Sequence, residues 1–172
     1  WLSLALLPAG LLFAATVAAR RALYRAGLLP VARLPVPIVV VGNVTAGGSG
    51  KTPLVLWLAR FLKERGLTPG ILSRGYGGAN SEPRQVTGES DPARVGDEPV
   101  LLAAKSGCPV WVGKDRVAAA RALVAADPDC DVLISDDGLQ HYRLGRNLEI
   151  AVVDGERGFG NGLPLPSGPL RE

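Results

Sequence analysis

The densest chemical signal in the chain is Gly42-Asn43-Val44-Thr45-Ala46-Gly47-Gly48-Ser49-Gly50-Lys51-Thr52. Glycines free of a Cβ let successive backbone N–H groups converge on an anion, and a helix starting just afterwards turns its positive dipole end toward the same point. In such a phosphate-binding loop (P-loop), residues 45–52 cradle the phosphates, the lysine reaches the β- and γ-phosphates, and the following hydroxyl ligates Mg²⁺. The candidate nucleotide-binding residues are therefore Thr45, Ala46, Gly47, Gly48, Ser49, Gly50, Lys51 and Thr52, with Lys51 also catalytic and Thr52 also a metal ligand. One position departs from the general pattern: a glycine is usual five residues before Gly50, and Thr45 stands there. A glycine turn that merely caps a helix is the plainer alternative. The complete Gly-Lys-Thr between a strand and a helix favours a nucleotide.

Carboxylates form the second group. Asp136-Asp137 follows the apolar run Val132–Ser135, where a strand's C-terminal end would hold Mg²⁺ directly or through water. The alternative is a solvated Asp-Asp-Gly turn, a common loop signal by itself. Asp97-Glu98 is weaker as a sequence signal, since two acids before an apolar run simply suit the first turn of a helix. The single histidine, His141, reads more readily as structural than catalytic. Cys108 and Cys130 have no second pair and read as buried thiols, not as a zinc ribbon or a disulfide framework.

These groups need strand ends and helix starts to position them. Pro37–Val41 reads as a buried strand before the glycine loop, and 51–65 as a helix with Pro53 in its first turn, where a missing N–H does no harm. Gly70–Ser73, Val110–Val112, Asp131–Ser135 and Leu148–Val153 read as further strands, with helices over 98–106 and 115–126 and a polar stretch up to Arg94. Apolar strands alternating with helices predict an α/β fold with a parallel sheet covered on both faces, P-loop NTPase-like. Residues 158–170 form a Gly/Pro loop suited to begin a connection into a second domain.

Composition bounds the alternatives. A chain of 172 residues, 47% hydrophobic and 20% charged, is globular, and at that size it buries roughly two-thirds of its surface without a staple. With 22 glycines and 14 prolines, many loops that approach a ligand by backbone are expected. The net charge of +3 belongs to the N-terminal arm: residues 1–36 hold four arginines and no acid, leaving 15 basic and 16 acidic groups beyond. A nucleic-acid partner is therefore not expected. Residues 1–19 carry no charge and as a helix would reach about 28 Å, near the thickness of a bilayer core. Arg20, Arg21 and Arg25 follow that segment, opposite to the order in a signal peptide. A membrane-associated N-terminal segment over 1–34, whose helix either spans or lies in the interface, precedes a core over 35–172; a buried first helix of a soluble core is the alternative.

The chain resembles the tetraacyldisaccharide 4′-kinase family, N-terminal portion. The resemblance rests on Gly42 to Pro53, Ser73-Arg74-Gly75-Tyr76-Gly77-Gly78, Val95-Gly96-Asp97-Glu98-Pro99 and Asp136-Asp137-Gly138-Leu139-Gln140-His141, in that order, with Pro169-Leu170-Arg171-Glu172 at the end. Thr45 is shared with the family. The resemblance implies ATP and Mg²⁺ as cofactors and transfer of the γ-phosphoryl group to the 4′-hydroxyl of a tetraacylated glucosamine disaccharide 1-phosphate, giving lipid IV-A. It implies a peripheral enzyme or one with a single N-terminal helix, at the cytoplasmic face of the inner membrane, whose partners are the lipid substrate and the membrane surface. It assigns the catalytic base to Asp97 and metal-site roles to Asp136 and Asp137, with Arg171 and Glu172 near substrate and metal. A second domain beyond this chain's end is also implied. A membrane-tethered ATPase switch of the partitioning type is the alternative function. Its additional lysine would fall at Ala46, which cannot reach a phosphate across a dimer. A GTP-binding module would need an Asn-Lys-x-Asp motif, and these residues contain none.

Overall fold

A computed structural model describes residues 2–47, 50–75 and 82–171. The described elements are α1 (Leu2–Ala5), α2 (Leu7–Arg25), β1 (Ile38–Asn43), α3 (Lys51–Glu64), β2 (Pro69–Ser73), β3 (Arg84–Val86), α4 (Pro92–Val95), α5 (Asp97–Ser106), β4 (Val110–Val112), α6 (Arg116–Ala126), β5 (Val132–Asp136) and β6 (Leu148–Val152).

The six strands form one sheet in the order β3-β4-β2-β5-β1-β6. All neighbours are parallel except β3 and β4. The antiparallel β3 lies inside the polar stretch where sequence patterning predicts no strand. It has three residues, two of them exposed, so only Val86 gives an apolar signal. The parallel strands alternate between two cores. Val40, Leu72 and Leu133 face α6 on one side; Val41, Ile71 and Ile134 face α3 and α5 on the other.

Register then fixes the chemistry. β1 leaves through α3 to reach β2, while β5 inserts between β1 and β2 and pairs Val41 with Asp136. β6 lies on the other side of β1. The chain thus goes opposite ways from β1, and the crevice at such a switch point is where open α/β sheets receive ligands.

The N-terminal helix packs on this core through one stripe. Leu7, Gly10, Phe13, Ala14, Val17 and Tyr24 are buried or half-buried, whereas Leu4, Leu11, Leu12 and Leu23 are exposed. Gly10 is needed for the approach, since a Cβ there would collide with the Ser167 hydroxyl. That hydroxyl donates to the Leu6 carbonyl at 2.7 Å, and the Tyr24 and Tyr142 rings meet at 5.6 Å. Among the described residues, no helix is long and apolar enough to cross a membrane. The uncharged run is divided at Leu6 between α1 and α2, and α2 incorporates Arg20, Arg21 and Arg25.

Candidate functional site

Asn43, the last residue of β1 and fully buried, organises the loop that follows. Its amide nitrogen donates to the carbonyls of Thr45 (2.6 Å) and Gly47 (3.0 Å), and its oxygen accepts from Lys51 Nζ at 3.0 Å. One side chain therefore curls the loop and aims the lysine. The C-terminal segment braces the same loop: Ala46 N–H donates to the Pro169 carbonyl at 2.7 Å, and Arg171 N–H to the Val44 carbonyl at 2.8 Å. Gly48 and Ser49, two of the expected nucleotide-binding residues, lie outside the described residues, as do Glu172 and Tyr76-Gly77-Gly78.

β5 delivers Asp136 and Asp137 to this edge. Asp137 has a left-handed backbone (φ 49°), a conformation Asp tolerates better than most residues. Its carboxylate lies 3.4 Å from Lys51 Nζ and 3.3 Å from Arg171 Nη1, so two cations share it. The following loop packs close beneath: a Cβ on Gly42 would lie 2.6 Å from Leu139 Cγ, so glycine at the end of β1 lets residues 138–141 settle over the strand.

Asp136 is only 1% exposed. Its Oδ2 accepts from Ser73 Oγ at 3.4 Å, while its Oδ1 has no hydrogen-bond partner among the described residues. Burial, joined by the charges of Glu98 and Asp137 and opposed by Lys51 and Arg116, pushes its carboxyl up to about 7. Behind it lies Arg116, also buried, which donates to the Gly113 carbonyl (3.2 Å) and the Asp136 carbonyl (3.0 Å). Burial lowers this guanidinium to about 10, still cationic at neutral pH.

α5 brings the remaining acids. The Thr52 hydroxyl donates to Glu98, which ties the start of α3 to the start of α5. Asp97 stands exposed at the first position of α5, with no side-chain partner among the described residues, on the wall of a cavity of about 800 Å³. Asp136, Asp137 and Arg171 line the same cavity, and from α2 so do Phe13 and Arg20. His141 lines it too. Burial, then Arg116 and Arg74, depress its imidazole to about 4, so it is neutral at pH 7. Arg146 fixes that loop by donating to the carbonyls of Leu139 (2.9 Å), Leu144 (3.2 Å) and His141 (2.5 Å).

Hard oxygen donors suit Mg²⁺, which keeps several waters and takes only one or two carboxylates from the protein. The orphaned Asp136 Oδ1, with Glu98 and Asp137 close enough to raise its carboxyl, is an acidic niche that fits such a cation. Because Thr52 gives its proton to Glu98, its oxygen lone pairs stay open toward a metal. Among the described residues, no three His, Cys, Asp or Glu side chains stand as a ready-made metal cage.

The expected residues Lys51, Thr52, Asp97, Asp136 and Asp137 therefore surround one edge of the sheet. Sequence patterning misses Asn43 as a side chain that shapes the loop, Glu98 as the partner of Thr52, and Arg116 and Arg146 as buried braces. Only the placement of Asn43 inside the glycine motif hints at its part.

A family model described as tetraacyldisaccharide-1-P 4′-kinase matches residues 2–172. A protein named tetraacyldisaccharide 4′-kinase from Alkalilimnicola ehrlichii is 60% identical over 100% of this chain, which covers 52% of that relative, and one of the same name from Thiobacillus denitrificans is 57% identical over 99% of this chain, which again covers 52% of it. The chain spans about half the length of the curated relatives it matches. A crystal structure of LpxK from Aquifex aeolicus in complex with ATP superposes with a TM-score of 0.87 at 35% identity, over 100% of this chain and 55% of that one.

Proposed function

The chain belongs to the tetraacyldisaccharide-1-P 4′-kinase family, and on that premise we propose that it carries the nucleotide site and phosphoryl-transfer centre of an ATP-dependent kinase for the 4′-hydroxyl of the acylated disaccharide 1-phosphate precursor of lipid A. The observation that carries the reading is the convergence of Lys51, Thr52, Asp97, Asp136 and Asp137 on one strand edge beside an 800 Å³ cavity.

In this reading the backbone of residues 45–52 and Lys51 hold the β- and γ-phosphates. Lys51, fixed by Asn43 and Asp137, needs little reorganisation to meet charge developing on the transferred group. Mg²⁺, when bound, neutralises phosphate charge; Thr52, Asp136, Asp137 and Glu172 are the residues that would hold it. The acceptor's 4′ oxygen forms its bond to the γ-phosphorus as the bridging bond to ADP breaks, and the hydroxyl proton passes to Asp97. An exposed carboxylate with no competing partner among the described residues is suited to accept it. The partitioning-type switch has less support, because the relatives and the solved neighbour all belong to the kinase family.

For the chain's organisation we assign residues 1–34 to a segment facing the membrane and 35–172 to the kinase core. The exposed Leu4, Leu11 and Leu12, followed by Arg20, Arg21 and Arg25, fit a helix lying at the cytoplasmic surface of a bilayer. A single assay tests the reaction: full-length protein, radiolabelled ATP, Mg²⁺ and tetraacyldisaccharide 1-phosphate. Label on the lipid's 4′ position supports it; release of free phosphate alone favours an ATPase.

A further inference from the structure

One short segment, residues 163–171, touches both the N-terminal helix and the phosphate loop. Ser167, which is buried, seats α2: its hydroxyl donates to the Leu6 carbonyl at 2.7 Å, and the absence of a Cβ on Gly10 lets the helix close over it. Just beyond, the Pro169 carbonyl takes the Ala46 N–H at 2.7 Å, Leu170 forms an antiparallel bridge with Thr45, and Arg171 N–H reaches the Val44 carbonyl at 2.8 Å. The Arg171 side chain shares Asp137 with Lys51. A slack segment would transmit nothing between these contacts, but this one is stiff. Leu165 N–H donates to the Leu170 carbonyl at 2.8 Å, Leu170 N–H to Leu163 at 3.1 Å, and Gly168 N–H to Pro164 at 3.0 Å. Asn161 closes it from outside, donating to the Ser167 carbonyl at 3.0 Å and accepting from Leu163 N–H at 3.1 Å. A Cβ on Gly168 would collide with Asn161 and the Leu163 carbonyl. Ser167 therefore cannot move far without carrying Pro169 with it.

The phosphate loop has a reason to depend on such a brace. Its entry lacks the glycine usual five residues before Gly50, and the Thr45 found there is buried and paired with Leu170. The loop's entry is thus shaped from outside, and a loop held ready lowers the ordering cost of binding phosphates. We propose that residues 163–171 are a strap that couples α2 to the nucleotide site: seating α2 tightens nucleotide binding, and bound nucleotide in turn holds α2 down. The coupling rests on the nucleotide site proposed above and not on contact with a membrane. Coupling between two sites is reciprocal, so the two effects must be equal in size.

The test measures binding of a non-hydrolysable ATP analogue with Mg²⁺ to the full-length protein by calorimetry. Gly10→Val wedges α2 off Ser167, Ser167→Ala removes only the anchoring hydroxyl, and Leu12→Ser alters the exposed side of the same helix as a control. Gly10→Val should weaken the analogue about fivefold, the lower end of ordinary coupling between sites. Ser167→Ala should fall between that variant and wild type, and Leu12→Ser should match wild type. Amide exchange should quicken at Ala46 and Arg171 in the first two variants while Val40 and Ile134 in the sheet keep their protection, which a general loss of stability would not spare. In the reverse direction, saturating analogue should slow tryptic cleavage of wild type after Arg25 by the same factor, and should not do so in Gly10→Val. Analogue affinity untouched by Gly10→Val and Ser167→Ala would overturn the strap while leaving the nucleotide site intact. So would a loss shared by Leu12→Ser, or one accompanied by faster exchange at Val40 and Ile134. If wild type does not bind the analogue, the nucleotide site itself falls, and the coupling with it.

Discussion

At the residue scale, the site divides labour between charges that are satisfied and charges that are left open. Lys51 is held by Asn43 and Asp137, so it is aimed without being neutralised by a tight pair. Lys51→Ala should lower kcat/KM by about two to three orders of magnitude, because a preorganised charge on the transferring group is worth about 3–4 kcal/mol. It should leave the melting temperature nearly unchanged, which circular dichroism would check. Among the described residues Asp97 has no side-chain partner and no fold role beyond the helix start. Asp97→Asn should reduce kcat about 100-fold or more and leave the KM for ATP close to wild type. Asp136→Asn and Asp137→Asn should instead shift the Mg²⁺ midpoint upward. Should Asp97→Asn alone move that midpoint in a Mg²⁺ titration, the base and the metal acids would have to be exchanged.

At the element scale, the docking of α2 is the contact most open to experiment. Its interface is narrow: Gly10 against Ser167, the Leu6 carbonyl on Ser167 Oγ, and Tyr24 on Tyr142. Gly10→Val would drive a branched side chain into Ser167 and the Pro164 carbonyl, and overpacking of this kind costs about 1–3 kcal/mol. Cleavage by trypsin after Arg20, Arg21 and Arg25 should accelerate at least several-fold, while cleavage within the sheet core should not. Because Phe13 and Arg20 wall the large cavity, the same variant should raise the KM for the lipid more than that for ATP. A variant cleaved at the wild-type rate would show that α2 is held elsewhere.

The same scale shows what was readable in the residues alone. The glycine loop, the acids at the end of β5 and the helix starts were legible because backbone chemistry demands particular residues in a fixed order at those points. The strands β1, β2, β4 and β5 were legible because double-faced burial forces uniform apolar runs, whereas β6 lies at the sheet edge with no fully buried side chain and was legible only from its apolar composition. Asp115 and Arg116 were assigned to one helix, but the structure makes Asp115 its cap and Arg116 a buried brace for β5, 20 positions away. Contacts at that range leave no local period. Neither does the Thr52–Glu98 bond between two helix starts, nor an edge strand such as β3 with one buried side chain.

At the scale of the whole molecule, two buried titratable groups on the same sheet edge give the fold opposing pH dependences. Asp136 has its carboxyl raised from the usual 3.8 to about 7, so between about pH 4 and 7 the native chain holds a proton that the unfolded chain has lost. Its contribution to stability therefore falls as pH rises through that window. His141 is depressed from 6.5 to about 4, so between those values the unfolded chain binds the extra proton. Its contribution falls as pH drops through much the same window. At about 1.4 kcal/mol per unit, each shift amounts to a few kcal/mol, and the two slopes largely cancel. Stability measured by urea unfolding in the absence of metal and nucleotide should thus be nearly flat from pH 4.5 to 6.5. Asp136→Asn should unmask the histidine, giving stability that rises with pH across the window. His141→Gln should unmask the aspartate and give the opposite slope. A variant pair whose slopes share one sign would mean that Asp136 and His141 do not set the pH response of this fold.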